Sequence, residues 1–293
     1  MKKTLALPLL AAAGGAAAFA LRLLQNRTGF EPDTGLPVPG NLPGMALLAV
    51  LAALAAAVCL LVRRMPPESG DGPAFPGAFA AWDPAPLMVP VAGVFLMALS
   101  GLLDLAGGIG LSQSLAAADP YGGVAALLAA DAFSPRLRVV MGALTLLSAA
   151  GLFRCTALCR GGKHAAAFSG GAWLLMPPAV LVVRLVLTYR ADSVNPALEA
   201  YYVELLALVF LTLGFYRLSS FAFRAGRTRV FSVYAALSVT LSLASLADAG
   251  IPWASRLLYI GGALVLQGFL GLRLADAALP AASQPDEPTD GSK

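Results

Sequence analysis

Eight stretches of predominantly apolar residues, each close to 20 long, run along this chain at roughly 4–21, 44–62, 87–107, 139–159, 168–189, 200–222, 230–248 and 257–277. An α-helix rises about 1.5 Å per residue, so about 20 residues cross the ~30 Å hydrocarbon layer of a bilayer. The runs are continuous rather than alternating in ten-residue pieces, which favours helices over a membrane barrel. Gly and Pro inside several of them are compatible with membrane helices. Composition agrees: charged residues are 12% of the 293, where a soluble domain carries about 25%. A net charge of +4 spread over the whole chain forms no basic patch, so nucleic acid is not expected as a partner. The expected fold is all-α, a polytopic bundle of eight transmembrane helices.

The positions of the basic residues orient that bundle. With the N-terminus inside, 13 basic residues fall to the inner side, among them Lys2, Lys3, Arg63, Arg64, Arg154, Arg160, Arg217, Arg224, Arg227 and Arg229. Six fall outside (Arg22, Arg27, Arg136, Arg138, Arg190 and Arg256), and Arg184 alone stays within a span. Both termini are therefore expected in the cytoplasm. The first run follows Met1-Lys2-Lys3 and ends in small residues, as a signal peptide does, although its uncharged stretch of about 18 residues exceeds the usual 7–15. Cleavage there would leave seven helices with the same topology.

Residues 1–278 read as one transmembrane domain, and 279–293, with Pro, Asp, Glu and Ser, as a disordered cytoplasmic tail. The 23–43 segment is dense in turn formers and is expected outside, 65–86 is a Pro/Gly-rich inner connection, and 108–137 is the longest outer segment. Short loops and alanine-rich spans suit a bacterial plasma membrane, with membrane lipids as the surrounding partners.

An ionised side chain at the bilayer centre costs roughly 2.5–3.5 kcal/mol on insertion scales, so intramembrane charges mark sites or pairs. Asp104, Arg184, Glu204 and Asp248 lie on four different helices, and the topology brings all four to the outer third of the membrane. In the seventh run Tyr234, Ser238, Ser242, Ser245 and Asp248 recur at helical spacing as one polar stripe. In the fifth, Trp173, Pro177, Leu181, Arg184 and Thr188 share a face, and Pro177-Pro178 is expected to kink the helix below Arg184. In the eighth, Tyr259, Ala263, Gln267 and Gly271 are spaced by four. Together these describe a polar cavity open to the outside, with Arg184 as anchor, Glu204 and Asp104 tuning its charge, and Ser238, Ser242, Ser245 and Asp248 lining the path. The same residues admit a structural reading, in which Arg184 and Glu204 form an ion pair between adjacent helices and the serines are small residues that let helices approach.

Other chemistries find little support. Cys155, Cys159, Arg160, Lys163 and His164 cluster on the inner side, but their spacing matches no zinc pattern and His164 is the chain's one histidine. Asn26-Arg27-Thr28 fits a glycosylation sequon by pattern alone. Phosphate-loop, His-Glu-x-x-His and Gly-x-Ser-x-Gly motifs are absent, no cofactor or metal is expected, and an enzyme is not the favoured reading. The expectation is a non-ATP-driven transporter or binder of a small polar or anionic solute. The alternative is a non-enzymatic membrane subunit or sensor that docks a protein partner through 23–43 or 108–137.

Overall fold

Backbone polar groups have no water to bond in hydrocarbon, so apolar runs of this length must satisfy them internally as helices. A computed structural model describes residues 6–31, 36–65, 75–81, 83–117, 133–160, 171–192, 198–248 and 250–277. Among these residues, eight helices are long and apolar enough to cross a membrane. They are α1 (Ala6–Thr28), α2 (Leu42–Arg63), α3 (Met88–Ala117), α4 (Pro135–Leu158), α5 (Met176–Asp192), α6 (Leu198–Ser219), α7 (Thr228–Ser245) and α8 (Trp253–Ala277). The chain is thus a multi-pass helical membrane protein. Odd-numbered helices start at what we call the amino-terminal face and end at the opposite face.

Burial sorts the helices into centre and periphery. Of the most apolar stretch of α8, 72% is buried, and of α7 67%, whereas α2 buries only 17%. The last is also the most apolar, with a mean hydropathy of 2.9, which suits a helix surrounded by lipid on most sides. Lipid tails are as apolar as leucine, so association here depends on close packing rather than on hydrophobic burial. The α3 helix achieves it through paired glycines. A Cβ at Gly93 would stand 2.5 Å from the Gly261 carbonyl oxygen of α8, and one at Gly261 would stand 2.7 Å from the Gly93 carbonyl. Gly101 and Gly142 repeat the arrangement between α3 and α4, at 2.9 and 2.7 Å. Two helices therefore lie almost backbone to backbone on either side of α3.

Three expectations change. Pro177-Pro178 does not kink a helix: residues 171–175 form a 3₁₀ turn and α5 begins at Met176, which puts both prolines in its first turn. There the missing N–H groups have no intrahelical partner to lose. The α3 helix continues past 107 to Ala117, so the first part of the 108–137 segment is helical, while 118–132 lies outside the described residues. The 65–86 connection is not wholly a solvent-side loop. Its residues 75–81 turn back into the bundle, where the fully buried Phe79 ring meets Phe221, Phe231 and Phe269 edge-on at 5.0, 6.0 and 5.2 Å. Phe75 N–H donates to the Phe221 carbonyl at 3.0 Å and Ala81 N–H to the Cys159 carbonyl at 3.1 Å. Two phenylalanines in a short loop bury more apolar surface this way than lying on a face.

The glycine contacts yield a test. Gly93→Val or Gly261→Val should destabilise the protein by about 1–3 kcal/mol through overpacking, read as a lowered melting temperature in detergent. Gly110→Ala, on α3 with open space where its Cβ would stand, should leave it unchanged or slightly raised.

Candidate functional site

At the opposite face Arg22 and Arg184 carry charge into the bundle, and each is met by an aspartate from a distant part of the chain. The last turns of α1 place Arg22, Gln25 and Asn26 at i, i+3 and i+4, one face of the helix. Arg22 and Asn26 turn towards the end of α7. Arg22 Nε donates to Asp248 Oδ1 at 2.6 Å, and Arg22 Nη1 donates to Gln25 Oε1 at 2.9 Å. The guanidinium is fully buried and lies over the Tyr202 ring of α6, 5.4 Å from its centroid. Asn26 Nδ2 donates to Asp248 Oδ1 at 2.9 Å and to the Ala247 carbonyl at 3.1 Å. The sequon asparagine is therefore a part-buried tie between α1 and α7.

The second charge centre lies on α5. Arg184 Nη1 donates to Asp104 Oδ2 of α3 at 3.0 Å, and its Nη2 donates to Ser255 Oγ of α8 at 2.8 Å. Arg184 is 2% exposed and Asp104 5%. The Arg184–Glu204 pair of the alternative structural reading is not what the structure shows, since Arg184 is taken by Asp104 and Ser255. Glu204 instead accepts from the fully buried Tyr259 hydroxyl of α8 at 2.6 Å, because its side of α6 meets α8. Arg256 of α8 completes the ring: its Nη2 donates to the Asp248 carbonyl at 3.0 Å and its Nε to the Ile251 carbonyl at 3.1 Å. Ser255, Arg256 and Tyr259, within the first two turns of α8, thus each reach a different centre.

The serine stripe goes elsewhere. Ser238, Ser242 and Ser245 are all fully buried. Ser238 Oγ makes bonds of 2.5 Å to the Phe210 carbonyl of α6 and 2.6 Å to the Tyr234 carbonyl, and Ser245 Oγ donates to the Ser242 carbonyl at 2.9 Å. A Cβ on Gly214 of α6 would stand 2.8 Å from Ser238 Oγ, so the serine faces a close helix contact. Of the predicted residues, the structure joins Asp104 to Arg184, and sets Asp248 and Glu204 in separate pairs. Sequence reasoning missed Arg22, counting it among loop cations, and with it Gln25, Asn26, Tyr202 and Ser255. The i, i+3, i+4 polar spacing on α1 was the available signal. Among the described residues, Arg184 Nε and Asp248 Oδ2 at this face are buried with no hydrogen-bond partner, as are Arg217 Nε and Arg229 Nε elsewhere.

Beside the Arg22 centre, on the opposite face, opens a cavity of about 600 Å³. Gln25, Asn41, Gly44 and Tyr202 line it together with the apolar Pro37, Val38, Pro39, Met45 and Leu48. None of the seven residues singled out from the sequence lines it. Its rim is a small hairpin within the expected 23–43 loop, closed by Glu31 N–H to the Leu36 carbonyl and Val38 N–H to the Gly29 carbonyl, both at 2.9 Å. Asn41 precedes α2 without capping it, and its buried Nδ2 has no acceptor among the described residues. Gly29 is packed against that amide, leaving no room for a side chain.

The cysteine cluster carries no comparable site. Cys155 and Cys159 are fully buried, and Cys159 Sγ donates to the Cys155 carbonyl at 3.4 Å. Burial pushes the Cys159 thiol up, with Cys155 adding to the effect, so it stays protonated and unreactive. Lys163 and His164 lie outside the described residues. Among the described residues no three His, Cys, Asp or Glu side chains gather as metal ligands would. Comparisons with protein-family models, with curated proteins and with solved structures find no match for this chain.

The ion pairs make a sharp stability prediction. Removing one member of a buried pair leaves an uncompensated charge and costs about 3–5 kcal/mol, whereas replacing both by apolar residues of similar volume is often neutral. Arg22→Met should therefore lower the melting temperature in micelles more than Arg22→Met with Asp248→Leu. Equal losses would show that the pair's charges are not what matters.

Proposed function

We propose that this protein is a non-enzymatic binding protein of the cell membrane, and that it takes a small ligand bearing hydrogen-bond acceptors into the Gln25–Asn41–Tyr202 cavity. The observation that carries this reading is the Gln25 side-chain amide on the cavity wall, whose oxygen is taken by Arg22 and whose Nε2 is left to donate. Buried donors are almost always bonded, and leaving one unmade costs about 1–3 kcal/mol, which a ligand acceptor would recover. The volume suits a small-molecule site, for which about 300–1,000 Å³ is usual. A few polar groups set in a mainly apolar wall are the usual means of orienting such a ligand.

The bias of basic residues supports a reading with both termini in the cytoplasm, and on that reading the cavity opens on the outer side. The Arg22–Asp248 and Arg184–Asp104 pairs act as braces that hold this side of the bundle. They link the cavity to its core, since Gln25 both lines the cavity and accepts from Arg22.

The test is ligand-dependent stabilisation. A panel of small amides, carbonyl compounds and carboxylates is screened for shifts in melting temperature. A compound present at a hundred times its Kd should add about 2.7 kcal/mol of stability. That shift should vanish in Gln25→Glu, which keeps an acceptor for Arg22 and removes the donor. No shift from any compound, or a shift indifferent to this substitution, overturns the reading.

A second reading, transport of a polar or anionic solute past Arg184, Asp104, Glu204 and Asp248, is favoured by one observation. Arg184 Nε and Asp248 Oδ2 hold unused hydrogen-bonding capacity deep in the bundle. Uptake by reconstituted vesicles that is abolished in Arg184→Gln would support it, and uptake unaffected by that substitution would remove Arg184 from the path.

A further inference from the structure

We infer that the corner joining α6 to α7 binds the headgroup of an anionic phospholipid, and that Arg217 holds its phosphate. The juxtaposition behind this is a guanidinium set against two tyrosine rings at the end of a span, in a stretch of chain that carries no acidic residue.

Charge is one-sided at this corner. From residue 205 to 247 the chain carries Arg217, Arg224, Arg227 and Arg229 and no Asp or Glu. The α6 helix ends at Ser219, Ser220–Phe223 make a 3₁₀ turn, and α7 starts at Thr228. The four arginines therefore gather at the amino-terminal face, with Arg224 and Arg227 exposed.

Arg217 is held differently from Arg22, Arg184 and Arg273, each of which pairs with an aspartate. It lies over the rings of Tyr216 and Tyr234, its guanidinium carbon 5.6 Å from each centroid. Such rings attract the charge and fix its position, but their faces give its N–H donors no oxygen. Among the described residues, Arg217 Nε is buried without a hydrogen-bond partner and no carboxylate pairs with the group. The residue is part-buried and its two Nη groups are not enclosed, so an anion can reach them.

Depth selects the ligand. Arg217 lies two residues before the end of α6, about 3 Å at 1.5 Å per residue, and so at the edge of the hydrocarbon. Tyrosines at such an edge sit at headgroup level, and Tyr216 is 51% exposed. The anion present at that level is the lipid phosphate, which a guanidinium fork can receive through two parallel bonds. Arg224 and Arg227 add positive potential at the same surface, which favours a headgroup of net negative charge over a zwitterion. Phe223, 58% exposed beside Arg224, gives the lipid's apolar part a contact that a free phosphate ion could not use.

Native mass spectrometry of the full chain in alkyl-glycoside micelles tests this, with phosphatidylglycerol, phosphatidylcholine or inorganic phosphate added in turn. Phosphatidylglycerol should be retained in preference to phosphatidylcholine, and inorganic phosphate should not displace it. Arg217→Gln should weaken retention about ten-fold, as the loss of a charged hydrogen bond implies. Tyr234→Leu keeps the cation but removes a ring that holds it, and should weaken retention about three-fold. Arg154→Gln, at an exposed position near the same end of α4, should leave it unchanged. If Arg217→Gln does not fold, Arg217→Lys takes its place: it keeps the charge, loses the fork, and should also weaken retention. Retention unchanged by the Arg217 variant, equal weakening by Arg154→Gln, or equal retention of both lipids overturns the site and leaves a general attraction of the basic face. Displacement by inorganic phosphate overturns the lipid assignment.

Discussion

Charge within hydrocarbon must be neutralised by another charge or bonded by neighbouring polar groups, and the opposite face of this bundle is organised by that requirement. Arg22 and Arg184 each enter the bundle on one helix and are met by an aspartate carried on another. Neither pair joins sequence neighbours, since 226 residues separate Arg22 from Asp248 and 80 separate Arg184 from Asp104. The pairs therefore tie α1 to the end of α7 and α3 to α5. The first two turns of α8 gather them, through Ser255 on Arg184, Arg256 on the Asp248 backbone and Tyr259 on Glu204. A helix placed centrally by its buried face thereby becomes the hub of the polar layer as well. Buried pairs of this kind contribute little net stability against apolar replacements, and their best-attested use is to set register and partner.

Packing along the rest of the span uses a different device. Where no charge is present, glycine pairs let α3 approach α8 and α4 almost backbone to backbone. Dispersion contacts then replace the hydrophobic drive that lipid removes. The amino-terminal face is closed by aromatic rings, with Phe79 seated among Phe221, Phe231 and Phe269. One end is thus sealed by edge-on aromatics and the other is held by ion pairs beside an open cavity.

Much of this was legible in the order of residues. Runs of apolar residues close to 20 long mark the spans because hydrocarbon thickness and helix rise are fixed lengths, and such a signal is local and additive. Asp104, Arg184, Glu204 and Asp248 stood out for the same reason, as ionisable groups within or beside apolar runs. The pairing among them was not legible. Arg184 and Glu204 sit on consecutive helices and look like partners, yet the rotation of α6 turns Glu204 to Tyr259, and Arg184 finds Asp104 instead. Arg22 escaped notice because it lies near a helix end, where a sequence cannot separate a cation reaching for headgroups from one turned inward. The same ambiguity hid Gln25 and Asn26, although their spacing with Arg22 was plain.

What the sequence by itself determined is the class of molecule: eight membrane-crossing helices, few charges, and polar side chains delivered to one level. Those properties follow from residue type and spacing along a single chain, and helical periodicity carries them. What only the tertiary structure decided is which polar groups meet, and that the serines of the stripe are buried. It also decided that the space beside Gln25 and Asn41 stays open. Each depends on the relative rotation and depth of helices far apart in the chain, and those are set by glycine contacts and ion pairs that exist only once the helices have met.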